Sequence, residues 1–247
     1  PGGPGGPDEP DEDAEKQREK KIILIDSLAG GVVLILLIVL LGVLFTGGDG
    51  DGDGSSLSAS ISSLTGEDDY DKNANSLPVT QLEQTILPET EDAGVTYIEE
   101  TLFLGDSNTA RMISYPDATH VTMENGIGVE GMGIQSFTTY ACVQFQGYSK
   151  MVTMPEAVKN MQPKREVIMF GTNNAAGTSE SSFISSYKDA LNAINESYPY
   201  TDIIIAAIPP IARYHMNESL SMTNIDKFNV ALAQLADEEG YKFLNWS

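Results

Sequence analysis

The chain has 247 residues and a formal net charge of −22, from 36 acidic and 14 basic side chains. Such a balance excludes nucleic-acid binding, which needs a cationic face to meet phosphates. One cysteine, Cys142, excludes an intrachain disulfide and a cysteine-based zinc site, and two histidines, His120 and His215, narrow the choice of general base.

Residues 1–21 run from PGGPGGP into the charge-dense DEPDEDAEKQREKK, too polar to bury a core, and are expected to be a disordered tail. The chain begins with Pro1 rather than Met, so the natural N-terminus is expected upstream. Residues 22–45, IILIDSLAGGVVLILLIVLLGVLF, carry no charge from Leu28 to Phe45. As a helix they would reach about 36 Å, enough to cross a hydrocarbon core of about 30 Å. Lys16, Arg18, Lys20 and Lys21 precede this run, and the next basic residue is Lys72. The positive-inside rule then predicts a single-pass membrane protein with a cytoplasmic N-terminus and an extracytoplasmic domain.

Residues 46–76 are rich in Gly, Ser and Asp and read as a flexible tether. Their DGDGDG stretch starts like a calcium loop, but Ser60 falls where the bidentate Glu is required, so a solvated spacer is expected. Residues 77–96 carry no clear pattern and complete a linker region spanning 46–96.

From residue 97 short apolar runs alternate with amphipathic stretches. Strands are predicted at 101–105, 127–130, 166–171, 202–208 and 241–246. Helix 180–196 places Phe183, Ile184, Tyr187, Leu191 and Ile194 on one face, and helix 223–238 does the same with Ile225, Phe228, Leu232 and Leu235. Continuous apolar strands alternating with helices predict an α/β domain over 97–247, with a parallel sheet covered on both sides. Ligands of such folds bind at the carboxyl ends of the strands.

Three segments fall at those ends. In LFLGDSNTARM, Gly105 permits a tight turn and Ser107 falls at or near a helix N-terminus, where free N–H groups and the helix dipole favour an oxyanion. A plain helix cap by Asp106 or Ser107 is the alternative. In VIMFGTNNAAG, Asn173 follows Gly171 and offers a side-chain amide, or else forms an ordinary Asn-rich turn. Between them lies GIGVEGMGI, whose glycines can offer an unhindered N–H.

The order GDS, strand-end Gly, GTNN resembles the SGNH (GDSL-like) hydrolase superfamily, and the likeness covers about residues 97–247. It implies a flavodoxin-like three-layer α/β/α fold, here preceded by one transmembrane helix. By resemblance Ser107 is the nucleophile, and Gly131 and Asn173 complete the oxyanion hole, with Gly128 the reserve for Gly131. The family pattern more often reads Gly-x-Asn-Asp, and here Asn174 replaces the Asp. Its Asp-x-x-His block is expected after the fifth strand, and the chain stops at Asn245-Trp246-Ser247, so this fragment is expected to lack the catalytic acid and base and to have little activity. His215 follows the fourth strand on the same rim and His120 precedes the second strand; both are read as surface loop residues.

The resemblance implies ester hydrolysis without metal or cofactor. The expected substrates are acylated small molecules or glycans of a bacterial envelope, with acetyl as the expected acyl group, and the membrane is the expected partner through 22–45. The alternatives are a non-catalytic binding domain at the cell surface and an O-acyltransferase using the same serine.

Overall fold

The computed structural model describes residues 74–211 and 219–246, together with the short strand Ile22–Ile23. The tail, most of the tether with its DGDGDG stretch, His215 and most of the expected membrane span lie outside the described residues. Ile22 and Ile23, the first two residues of that span, are extended and pair antiparallel with Phe145 and Gln144. Among the described residues no helix is long and apolar enough to cross a membrane.

Five strands form one parallel sheet: β1 (Thr101–Gly105), β2 (Gly126–Gly128), β3 (Arg165–Met169), β4 (Asp202–Ala206) and β5 (Lys242–Leu244). Their order is β2-β1-β3-β4-β5, so the chain reverses direction across the sheet between β1 and β3. That reversal opens the crevice in which doubly wound folds hold their ligands. The helices are α1 (Val95–Glu99), α2 (Ser107–Ser114), α3 (Pro116–Thr119), α4 (Met154–Met161), α5 (Thr172–Ala175), α6 (Glu180–Ser197) and α7 (Met222–Glu239).

Both faces of the sheet are buried, as continuous apolar strands require. Leu102, Leu104, Ile168, Ile203, Ile205 and Phe243 share one core with α4, α6 and α7. Val167, Met169, Ile204 and Ala206 face the other way, against Met112 of α2 and Leu87. The predicted faces of the two long helices hold: Phe183, Tyr187, Leu191 and Ile194 of α6 are buried, as are Ile225, Phe228, Leu232 and Leu235 of α7. Ile184 is only partly buried, and Ala190 takes a place beside Leu191.

β1 has the predicted bounds, whereas β3 and β4 end two residues early and β5 is shortened at both ends. Phe170, Ala207 and Ile208 are as buried as the strands before them; Ala207 still donates its N–H to Leu244 of β5, whereas Phe170 and Ile208 give theirs to the side chains of Tyr187 and Asn229. β2 runs 126–128 rather than 127–130, so Gly131 lies three residues beyond its end.

The stretch 77–96, patternless in sequence, joins the folded unit. Leu82 enters the core and Ile86 bridges Phe243 in parallel, with Phe243 donating its N–H to the Thr85 carbonyl and accepting from Leu87. This contact covers the free edge of β5, the kind of edge that otherwise invites association.

Candidate active site

Ser107 is the first residue of α2, immediately past the C-terminal end of β1. Asp106 is the helix cap: its carboxylate accepts the Asn108 N–H at 2.9 Å and the Asn108 side-chain amide at 3.0 Å. Capping and a functional serine are therefore compatible, since adjacent residues do the two jobs. The half-buried Ser107 hydroxyl has no hydrogen-bond partner among the described residues. Its N–H belongs to the first turn, whose donors have no partner within the helix.

Asp106 is 1 % exposed. Burial pushes its carboxyl above the usual range, and N–H groups from Asn108, Gly171 and Thr172 oppose that shift by bonding the charged form. Asn108 ties the β1–α2 turn to the β3–α5 turn, donating from the same amide nitrogen to the Thr172 hydroxyl at 3.0 Å.

The two candidate glycines differ sharply. A Cβ on Gly128 would lie 2.1 Å from the Ala110 backbone nitrogen, so this glycine lets α2 pack tightly across β2. It is buried and paired in register with Gly105. Gly131 is exposed in the loop beyond, at φ +71°, with nothing within 4 Å of where a Cβ would stand. Its N–H is unengaged among the described residues.

Asn173 sits in the single turn α5 and is exposed. Its amide donates to the Met132 carbonyl at 3.1 Å, which leaves one N–H of that amide free and draws Asn173 beside the Met132–Gly133 peptide. Beneath the rim, the Tyr187 hydroxyl accepts the Phe170 N–H at 3.2 Å and supports the end of β3. Ser107, Gly131 and Asn173 therefore share one rim, at the carboxyl ends of β1, β2 and β3.

His120 is remote from this rim. It is exposed and caps α3 in a left-handed conformation, and its carbonyl accepts from Asn125, which also donates to Ile98 ahead of β1. That places it at the amino ends of the strands. No described group of His, Cys, Asp and Glu side chains is arranged to hold a metal ion.

Sequence reasoning missed Asn108, Gln135 and the use of Asn174. Asn108 carried a faint signal, because an Asp followed two residues later by Asn at a helix start is capping chemistry. The Asn174 and Gln135 contacts depend on a loop 40 residues distant and left no local trace.

No family model matches the chain. No curated protein matches it either. Among solved structures, it is similar to a candidate acylhydrolase of Bacteroides fragilis at 18% identity and TM-score 0.46, over 70% of this chain and 77% of that one. A GDSL-like lipase of Bacteroides thetaiotaomicron is similar at 16% identity and TM-score 0.42, over 67% and 74%. A carbohydrate esterase family 3 protein of Talaromyces cellulolyticus is similar at 16% identity and TM-score 0.40, over 58% and 76%. At these scores the likeness assigns no activity or substrate to this chain.

Proposed function

We propose that the protein is a serine esterase that removes acyl groups, acetyl foremost, from envelope glycans or small acylated molecules. The observation that carries this reading is the shared rim: an unpartnered serine hydroxyl at a helix start, a free glycine N–H and a half-free asparagine amide. Ser107 Oγ attacks the ester carbonyl while a histidine outside the described residues takes its proton. Negative charge gathers on the former carbonyl oxygen, where the N–H groups of Ser107 and Gly131 and the Asn173 amide receive it. Collapse of this intermediate expels the alcohol, and water then releases the acid from Ser107. Each residue supplies something it already has free, so no donor must break a bond to act.

Location belongs to the same proposal. The uncharged run 28–45, with basic residues before it and none until Lys72, supports a membrane anchor with the domain outside, while the pairing of Ile22 and Ile23 with Phe145 and Gln144 weighs against it. Protease added to intact cells is expected to release the domain by cutting within 46–76. A protected domain would reject this orientation.

The test of chemistry is turnover of a small acetyl ester by the full-length protein. Ser107→Ala should abolish it without changing the fold, and Asn173→Ala should lower turnover about 10²–10³-fold, as for loss of one oxyanion donor. Full activity in Ser107→Ala would remove the serine from the mechanism. The rival reading, a non-catalytic binding domain, draws support from the absence of a histidine on the rim among the described residues. It predicts no Ser107-dependent turnover at all.

A further inference from the structure

The loop after β2 leaves the sheet at Gly128, and among the described residues two asparagines of α5 make all its hydrogen bonds to that turn. Asn173 contributes one bond, from the amide that the proposed mechanism needs for the oxyanion. The remaining bonds come from Asn174, which is 1 % exposed. Its Oδ1 accepts the Ile134 N–H at 3.1 Å, and its Nδ2 donates to Gln135 Oε1 at 2.8 Å. Nδ2 also lies 3.5 Å from the Thr178 hydroxyl. Gln135 reaches Asn174 by folding back over Gly133, where a Cβ would stand 2.4 Å from the Gln135 oxygen.

We propose that Asn174 is a positioning residue: through Ile134 and Gln135 it fixes the 131–136 loop against α5, and so sets the spacing of the Gly131 N–H and the Asn173 amide. This rests on the esterase reading above. The physical need is plain. An oxyanion hole works only when its donors stand about 2.7–3.1 Å from one oxygen, and a misplacement of about 1 Å costs on the order of 10²-fold. Gly131 is a flexible residue in open space and cannot fix its own N–H. Asn173 gives the loop a single bond from an exposed side chain, which does not by itself set the loop's position. Asn174 is buried, has no free donor for a ligand, and is bonded at both ends of its amide.

The chemistry of the contact gives a sharp test. Asn174 must accept from Ile134 and donate to Gln135, and an amide does both. In Asn174→Asp both oxygens accept, so Gln135 must turn its amide over and donate instead. In Gln135→Glu the carboxylate still accepts from Asn174. Each single change therefore keeps a bonded pair, whereas the double change sets carboxylate against carboxylate.

Two measurements on the full-length protein decide the matter: amide hydrogen exchange, and kcat and KM on an acetyl ester. Asn174→Ala should speed Ile134 exchange at least about tenfold and leave β3 amides unchanged, with kcat falling about 10²-fold and KM changing less than about twofold. The two single carboxylate variants should each lose about threefold or less in kcat. Their combination should lose as much as Asn174→Ala, far beyond the product of the singles. Unchanged Ile134 exchange in Asn174→Ala, or a double variant no worse than that product, would overturn the proposal. Should Asn174→Ala fail to fold, the carboxylate pair still decides. If no Ser107-dependent turnover exists, the esterase reading falls, and the exchange of Ile134 across the same four variants still tests the clamp.

Discussion

Asp106 and Glu166 are the two buried carboxyl groups of the described residues, and they stand at opposite ends of one sheet. Asp106, at the carboxyl end of β1, is surrounded by N–H donors from Asn108, Gly171 and Thr172. Glu166, in the second position of β3, is level with Leu102 and Ile203 and has no hydrogen bond to either oxygen. Burial pushes its carboxyl up to about 8, so it remains protonated near neutral pH. The contrast separates a built polar site from a tolerated polar residue. At the rim, polar groups are held by other polar groups and fixed in place. At the far end a carboxyl avoids the cost of a buried charge by keeping its proton.

The largest expected break in this comparison is Asp106→Leu. It removes the cap of α2 and the acceptor of both Asn108 bonds, costing about 3 kcal/mol in chemical denaturation. A loss under about 1 kcal/mol would mean that the rim does not depend on this carboxylate. Glu166→Leu should do the opposite, stabilising the domain by about 1–3 kcal/mol at pH 8 because an unpartnered polar group is replaced by an apolar one. Destabilisation there would point to a partner for Glu166 in solution.

The smallest effect, taken per pH unit, is a slope. Between its ordinary value near 4.5 and about 8, Glu166 holds its proton when folded and loses it when unfolded. The folded state then binds more protons, so stability falls as pH rises through this window, by at most about 1.4 kcal/mol per unit. The contribution is fully present below the lower value and is lost as pH passes the upper one. Asp106, also raised by burial, adds a slope of the same sign. Glu166→Gln should therefore flatten the profile without abolishing it. An unchanged profile would refute the assignment.

How far the sequence foretells the molecule depends on whether a feature is local. Strand positions were legible because runs such as Ile203–Ile205 are buried on both faces, and helix faces because burial recurs with the helical period. Strand ends were not, because Phe170 and Ile208 continue the apolar run into loops that pack without pairing. The edge contact at Ile86 is a single bridge, too short to leave an alternating pattern. Within the candidate site, the placement of Ser107 and Asn173 past strand ends was legible from the glycines before them. Asn108, Gln135 and Asn174 were invisible because their partners are chosen by the fold.

The esterase reading is tested most directly by covalent capture of the nucleophile. Full-length protein treated with a fluorophosphonate and digested for mass spectrometry should carry the phosphonyl group on the peptide containing Ser107. The mark should vanish in Ser107→Ala and weaken in Asn173→Ala, since the reagent's oxygen draws on the same donors. Capture at another residue, or none on a protein that turns over an acetyl ester, would contradict Ser107 as the nucleophile.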